Sequence, residues 1–202
     1  IMNILFVSSG NTGKIGVVVD LQAESIRKLG FKVDHYLING KGLFGYLRNI
    51  YLLRSQLRSV KYDIVHAHYS FSGFLASLSM AYPLVVSFMG SDVKSGFFFR
   101  LLIRFFIFTF RWKYFIVKSQ ELATLIGRKG IFIIPNGVDI EKFTPMSKNE
   151  CINKLNWNPD KRHLLFASNP NRPEKNFPLL LEAYRLIGND QIELHVLDNI
   201  PP

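Results

Sequence analysis

A Pro-Asn-Gly turn at residues 135–137 divides this sequence into two runs of alternating strand and helix patterns. The apolar residues 131–134 in front of the turn predict a buried strand. Proline cannot donate a hydrogen bond to a sheet, and Asn-Gly tolerates positive φ, so this strand must end at the turn. The sequence therefore predicts two units, residues 2–138 and residues 139–202.

The first run repeats short apolar segments followed by segments with helical spacing. Strands are predicted at residues 3–8, 31–38, 63–68, 84–88, 114–117 and 131–134, and helices at 16–29, 46–60, 73–81, 97–112 and 119–126. Apolar strands that alternate with helices predict an α/β fold with a parallel, doubly wound, Rossmann-like sheet. Ligands of such sheets bind beyond the carboxyl ends of the strands.

The second run contains one βαβ unit. Its elements are predicted at residues 147–155 (helix), 164–168 (strand), 177–187 (helix) and 191–197 (strand). Because two strands bury little surface and are marginal alone, this run is expected to be the incomplete start of a second Rossmann-like domain.

A glycine-rich loop follows the first strand. Gly10, Gly13, Lys14 and Gly16 fall just before a predicted helix, where backbone N–H groups favour an anion. The spacing matches neither a P-loop nor the dinucleotide fingerprint, so a tight turn without a ligand is an equal alternative. For the same reason a nucleotide-dependent oxidoreductase is disfavoured.

Two polar side chains follow later strands of the predicted sheet. His68 ends the third strand, and Asp92 follows the fourth. Either can face a ligand at the edge of the sheet. The alternatives are a strand-end histidine paired with backbone and an aspartate that caps the next helix.

Residues 97–112 combine many aromatic side chains with Arg100, Arg104 and Arg111. The segment is too short and too charged to span a bilayer. A basic, aromatic helix of this kind can lie in an anionic membrane interface, and packing on the sheet is the alternative.

The excess of positive charge is confined to the first unit. Residues 1–135 carry 17 Lys and Arg against 6 Asp and Glu, whereas residues 136–202 carry 8 against 9. Such a field favours nucleic acid, an acidic membrane or phosphorylated ligands, with plain solubility as the alternative. The one cysteine, Cys151, excludes an internal disulfide and fits a reducing compartment.

The segment Ile-Pro-Asn-Gly-Val-Asp at 134–139, followed after three residues by Phe-x-Pro, is far more specific than a turn. With residues 63–69, 89–92 and the Pro-Glu-Lys-Asn of 173–176, it resembles the family 4 (group 1) glycosyltransferases, which have two Rossmann-like domains (the GT-B fold). The resemblance implies an acceptor-binding first unit and the start of a nucleotide-sugar donor domain.

The resemblance also implies a reaction. A retaining hexosyltransferase would move a sugar from a nucleotide-sugar donor to a glycan or lipid-linked acceptor, without a cofactor or a required metal. The glycine loop would meet the acceptor or the donor phosphates, and His68 and Asp92 would be catalytic.

The donor site implied by the resemblance includes Asn136, Gly137, Arg172 and Lys175. Lys175 would pair with the donor diphosphate, since a cation offsets the charge that develops on the leaving nucleotide. Arg172 would supply a guanidinium from a position shifted relative to the family pattern.

The sequence departs from the family in three places. Met89 stands where a histidine is usual, Asn169-Pro170 replaces Gly-Arg, and the later Glu–seven residues–Glu element does not appear. The 202 residues alone are therefore expected to be inactive. A bacterial polysaccharide-biosynthesis enzyme is expected, cytoplasmic or peripheral on the inner face of the membrane. The alternative is a non-catalytic basic module that binds nucleic acid or an anionic membrane, although no nucleic-acid motif accompanies the charge and no nucleic-acid partner is expected.

Overall fold

A computed structural model describes residues 1–11, 13–40, 42–110, 112 and 114–197. The chain forms two compact units, Ile1–Val138 (unit 1) and Asp139–Pro202 (unit 2). Among the residues described, no helix is both long enough and apolar enough to cross a bilayer.

Unit 1 contains a six-stranded parallel sheet. Its strands are β1 (Asn3–Ser9), β2 (Lys32–Ile38), β3 (Ile64–His68), β4 (Leu84–Ser87), β5 (Tyr114–Val117) and β6 (Ile131–Ile133). Their order in the sheet is β2-β1-β3-β4-β5-β6, and every neighbouring pair is parallel. The order reverses after β2, which confirms the predicted doubly wound, Rossmann-like α/β fold.

Among the described residues of unit 1, six helices connect these strands. They are α1 (Val17–Lys28), α2 (Gly42–Ser59), α3 (Ser70–Leu78), α4 (Ser91–Lys94), α5 (Phe97–Thr109) and α6 (Gln120–Ile126). The sequence does not predict α4, and α2 begins four residues earlier than predicted. In addition, α3 lies three residues closer to the amino terminus than predicted, so it begins directly after Tyr69.

Both faces of the sheet are covered near its centre. Leu5, Phe6 and Val7 of β1 are fully buried, with Phe6 pointing toward α1 and its two neighbours pointing toward the α3 and α5 face. A strand buried on both faces reads as a continuous apolar run. Each such side chain contributes about 1.5–3 kcal/mol relative to exposure, so the centre of the sheet is firmly placed.

Unit 2 contains a βαβ unit of the predicted kind. Its elements are α7 (Lys148–Leu155), β7 (Arg162–Phe166), a 3-10 turn (Pro173–Lys175), α8 (Phe177–Ile187) and β8 (Ile192–Val196). β7 and β8 are parallel, as a crossover through α8 requires. Among the described residues of unit 2, Ile152 is the one buried hydrophobic side chain.

Candidate functional site

The carboxyl ends of β1, β3 and β4 bring polar residues together at one edge of the unit 1 sheet (the rim). Val7 pairs with Ala67, and His68 pairs with Ser87. Ser8, His68 and Ser87 therefore lie side by side on three adjacent strands. A further hydrogen bond, which the Tyr69 N–H donates to the Ser87 carbonyl at 2.8 Å, extends the pairing beyond His68.

The glycine loop begins at this rim. Gly10 donates to the Ile38 carbonyl at 2.9 Å, and a Cβ there would lie 2.4 Å from Asn39 Oδ1. Glycine at position 10 is thus required by the close approach of the next strand's end, whether or not a ligand binds. Gly13 has a φ of +73° and open space around it, which fits a turn.

The loop leads directly into α1. Gly16 is the N-cap residue of α1, and its carbonyl accepts from Val19 and Asp20. Lys14 is exposed in front of this helix start. The two features form a site that favours an anion by geometry and charge, and the role of the loop at a phosphate stays a prediction.

His68 lies deep in the rim. Its ring stacks on His66 at 4.3 Å and contacts Phe6 at 4.6 Å, and it is only 3% exposed. His66 is paired with Ser87, since its Nε2 lies 2.7 Å from the Ser87 Oγ. Nε2 of His68 has no hydrogen-bond partner among the described residues.

Burial keeps both rings uncharged. It lowers the pKa of His66 to about 4, with a smaller effect of the Lys118 charge. Burial also lowers the pKa of His68 to about 2, aided by His66, Lys118 and His35. At neutral pH His68 is therefore a neutral hydrogen-bonding group, and general acid–base catalysis by this ring would require a pKa much closer to 7.

Three buried polar atoms of the rim lack a hydrogen-bond partner among the described residues: Ser8 Oγ, His68 Nε2 and Ser70 Oγ. Folded proteins rarely leave such atoms unpaired, and each exception needs an explanation. Between two of them, Tyr69 adopts a φ of 82°, which is uncommon for a non-glycine residue. Unpaired atoms and backbone strain are both concentrated at ligand sites.

Asp92 is fully buried on α4, which follows β4. Its carboxylate accepts backbone N–H bonds from Ser70, Met89, Gly90 and Val93 at 2.9–3.1 Å. Burial raises the pKa of Asp92, while the hydrogen bonds from Ser70, Gly90 and Val93 oppose that rise. The geometry favours a structural role other than the predicted cap of the next helix, since the N-cap of α4 is Gly90 without a side-chain bond. The carboxylate instead ties the segment around Gly90 to Ser70 at the start of α3. Contact with a sugar hydroxyl stays a prediction.

Lys118 is a cation of the rim that the sequence patterns do not single out. It directly follows β5, and burial lowers its pKa. Its charge acts on both His66 and His68. No motif marks this lysine, and its significance comes from the parallel pairing that brings the end of β5 to the same edge as β3.

The predicted donor residues are solvent exposed. Arg172 forms an ion pair with Glu174, through Nε at 2.7 Å and also through Nη2. Lys175 ends the 3-10 turn that leads into α8. Asn136 and Gly137 lie in the exposed segment after β6. The Glu174 pairing occupies the Arg172 guanidinium, so a role at the donor would require that exposed pair to open.

The arginines predicted to face a membrane lie partly within α5. Arg100 and Arg104 are on this helix, and Arg111 lies outside the described residues. The buried side of α5 is Ile103, Phe106 and Ile107.

An apolar cavity of about 300 Å³ lies at the opposite, amino-terminal edge of β4 and β5, away from the edge where ligands of such sheets bind.

The sequence matches the family model of Glycosyltransferase Family 4 over residues 17–142. This match covers more than half of the chain and includes α1, the ends of β3 and β4 and the Pro-Asn-Gly turn. The chain therefore belongs to Glycosyltransferase Family 4. Among curated protein sequences, none matches it significantly.

Solved glycosyltransferases share the fold. Sucrose-phosphate synthase from Thermosynechococcus elongatus superposes with a TM-score of 0.71 at 13% identity, covering 97% of this chain and 70% of that one. HepE from Anabaena, solved with UDP and glucose, gives a TM-score of 0.70 at 16% identity, covering 97% and 61%. The lipopolysaccharide outer core galactosyltransferase WaaB gives 0.60 at 12% identity, covering 98% and 69%. These proteins confirm the predicted GT-B resemblance at the level of fold.

Proposed function

We propose that this chain is the acceptor-binding domain and the start of the donor domain of a retaining, nucleotide-sugar-dependent glycosyltransferase. Its acceptor is a glycan or a lipid-linked molecule, and its transferred sugar is a hexose. The observation that carries the proposal is the family match over residues 17–142. The unpaired polar atoms of the rim support it, since a sugar hydroxyl can donate to or accept from each of them.

The proposed mechanism assigns separate tasks to the two units. In unit 1, neutral His68, Ser8 and Ser70 orient the acceptor by hydrogen bonds, and the loop with Gly13, Lys14 and Gly16 meets a phosphate. Orientation alone is a large part of catalysis in a transfer between two bound molecules. In unit 2, Lys175 stabilises the leaving diphosphate, with Arg172 as a further donor contact and no metal ion required. The resemblance also assigns donor contacts to Asn136 and Gly137, which lie at the end of unit 1.

Transfer is tested with this chain joined to a complete donor domain, because the 202 residues alone are expected to be inactive. The assay uses radiolabelled nucleotide sugars and a membrane extract as the acceptor source. HepE is solved with UDP and glucose, so UDP-hexoses are the first donors to test. We expect label in the lipid or glycan fraction, reduced about 100-fold or more in Lys175→Ala, because a charge-stabilising contact is worth that much. Lys154→Ala, an exposed lysine on α7 of the same unit, is the matched control and should retain transfer.

The opposite result would be salt-sensitive binding to random oligonucleotides with no transfer from any donor. That outcome favours the alternative, a non-catalytic basic module. The family match leaves this alternative without a specific supporting observation. Loss of transfer in both lysine variants would instead contradict the assigned role of Lys175.

The proposed enzyme works at the cytoplasmic face of a bacterial membrane in polysaccharide biosynthesis. Two helices on the same face of the sheet support a peripheral attachment. On α5, Phe98 and Phe108 are 84% and 83% exposed, and Leu101 and Phe105 lie between them at helical spacing. On α2, Phe44, Leu47 and Tyr51 form a second exposed stripe. These side chains would enter the interface, while Arg100 and Arg104 meet anionic headgroups.

Co-sedimentation with vesicles tests the attachment. We expect the protein to pellet with phosphatidylglycerol vesicles, and to stay in solution with phosphatidylcholine vesicles. Phe98→Ser/Phe105→Ser/Phe108→Ser and Arg100→Glu/Arg104→Glu should both abolish pelleting. Lys148→Glu/Lys154→Glu on α7 makes the same charge change in unit 2 and should pellet normally. Equal pelleting of all variants would refute the proposed surface.

A further inference from the structure

Three side chains of metal-ligand type converge on one face of the β7–β8 pair. His163 lies on β7, and Glu193 and His195 lie two residues apart on β8. His163 is paired with Glu193 in the parallel register, so all three side chains leave the sheet on the same face. One ligand atom from each lies within 4.8 Å of the other two.

The distances suit a small divalent ion. His163 Nδ1 lies 3.0 Å from His195 Nε2 and 3.7 Å from Glu193 Oε2. Zinc bonds of about 2.0–2.2 Å in a tetrahedron place ligand atoms roughly 3.3 Å apart. The two distances from His163 Nδ1 lie within a few tenths of an ångström of this value, and the atoms of Glu193 and His195 lie within 4.8 Å of each other.

The histidines are held in orientations that suit ligands. His163 Nε2 lies 2.9 Å from the Asn158 carbonyl oxygen, which can only accept, so Nε2 carries the proton and Nδ1 presents a lone pair to the cluster. A ligating histidine usually donates its other N–H to such a carbonyl or to a carboxylate. The Trp157 ring stacks on His195 at 3.7 Å and 10°, which fixes the second imidazole.

A hydrogen bond between the two imidazoles does not satisfy the whole cluster. In the ion-free chain, His195 Nε2–H can donate to His163 Nδ1. Glu193 Oε2 is then a buried oxygen without a hydrogen-bond partner among the described residues. A buried, unpaired carboxylate oxygen is costly, and a cation at the centre of the cluster removes that cost.

We propose that His163, Glu193 and His195 bind Zn²⁺, which joins β7 to β8 and stabilises unit 2. Two imidazoles and a carboxylate are a ligand set typical of zinc, with water in the fourth position. On binding, His195 shifts its proton from Nε2 to Nδ1 through water, and no oxidation occurs. The bound ion would add to the folding free energy of unit 2. Such a contribution matters there, because Ile152 is the one buried hydrophobic side chain among the described residues of this unit.

Zinc titration of the chelator-treated chain by calorimetry tests the site. We expect one ion per chain, with binding about 100-fold weaker in Glu193→Gln and in His195→Asn, since even indirect partners of a ligand are worth 10–100-fold. His35→Asn, which removes a histidine of unit 1, is the matched control and should keep the wild-type affinity. Circular dichroism of each variant distinguishes loss of the site from loss of folding.

Cobalt substitution provides a second readout that does not depend on stability. Co²⁺ in the site should give the visible absorption of a tetrahedral ion, and Glu193→Gln should remove that absorption. The proposal would be overturned if the folded chain does not bind Zn²⁺ saturably. It would also be overturned if folded Glu193→Gln and His195→Asn bind Zn²⁺ with the wild-type affinity. Nucleotide-sugar transfer does not enter either measurement, so the two proposals fail independently.

Discussion

Ser8, His68 and Ser70 show how a few unpaired atoms can define a site at the residue scale. Each has a buried polar atom without a partner among the described residues, and each loses on the order of 1–3 kcal/mol of hydrogen-bonding free energy on folding. Asp92, in contrast, accepts four backbone N–H bonds. The three unpaired atoms lie together at the strand ends, where a hydroxyl-rich ligand would pair them. The other unpaired buried atoms among the described residues belong to His35 on β2 and Glu193 on β8.

The neutral histidines predict a pH dependence of stability. Their pKa values are near 6.5 in an unfolded chain but about 4 for His66 and about 2 for His68 in the folded protein. A base whose folded pKa is lowered stabilises the protein above pH 6.5, and that stability is lost as the pH falls toward the folded value. Below pH 6.5 we expect each ring to cost about 1.4 kcal/mol per pH unit, measured as the free energy of urea unfolding.

A double variant that lacks both imidazoles separates their contribution to the pH dependence of stability from that of the other titrating groups. His66→Gln/His68→Gln should show a distinctly shallower loss of stability between pH 7 and pH 5 than the wild-type chain. Carboxylates titrate equally in both proteins, so the difference isolates the histidines. Identical slopes would show that these rings become protonated without cost, contrary to their burial.

The sequence indicates part of the rim and cannot indicate the rest. His68 and Asp92 stand at the ends of apolar runs, so their placement at the rim follows from strand prediction alone. Ser8 and Ser70 look like ordinary polar residues, and their lack of partners depends on packing from other elements. Lys118 reaches the rim because β5 lies beside β4. The order of strands in a sheet cannot be predicted from the residues around Lys118.

At the scale of elements, α3 packs unusually close to the sheet. A Cβ on Gly73 would lie 2.9 Å from Trp112 Cη2 and 3.0 Å from Val86 Cγ1. The indole has little freedom to move, because its Nε1 donates to Ser77 Oγ at 2.6 Å. Close packing here holds the start of α3, and with it Ser70, against the end of the sheet.

Gly73→Ala is therefore expected to destabilise unit 1. Overpacking costs about 1–3 kcal/mol, against at most about 1 kcal/mol gained from the better helix propensity of alanine. The free energy of urea unfolding measures the net loss. Gly137→Ala, where a Cβ meets no atom within 4 Å, should stay within about 0.5 kcal/mol of wild type. A neutral or stabilising Gly73→Ala would mean that Trp112 moves more easily than its contacts indicate.

Elements differ in how well the sequence predicts them. The strands are apolar or alternating runs, such as the continuous β1 and the alternating β2. Their existence therefore follows from the sequence, with shifts of one or two residues at their ends. The four residues of α4 are too few for a helical period to be visible. His163 and His195 are 32 positions apart, and only the register of β7 and β8 reveals them as neighbours.

On the scale of the whole molecule, the hydrophobic core is divided unevenly. Of the buried hydrophobic side chains among the described residues, all but Ile152 belong to unit 1. Stability within one chain can vary from region to region, and regions with little buried apolar surface open most easily. The two units are therefore expected to differ in how often their backbone is exposed to solvent.

Hydrogen–deuterium exchange measures this difference directly. Peptides from β1, β3 and β4 should exchange orders of magnitude more slowly than peptides from β7 and β8 in the chelator-treated chain. Exposed helix ends of unit 1 provide the internal reference for fast exchange. Equal protection of β1 and β7 would contradict the inference that buried apolar surface sets the stability of each unit.

The buried centre of β1 has one more consequence, which concerns the thermodynamics of recognition. Ser8 and His68 sit on the stiffest part of the molecule, so a ligand at the rim meets groups that are already in their bound positions. Little conformational entropy remains to be lost on either strand, and affinity there depends mainly on how well the ligand replaces water. Selectivity for an acceptor would then reside in the loops around these strands, which can change in sequence without disturbing the polar atoms that they surround.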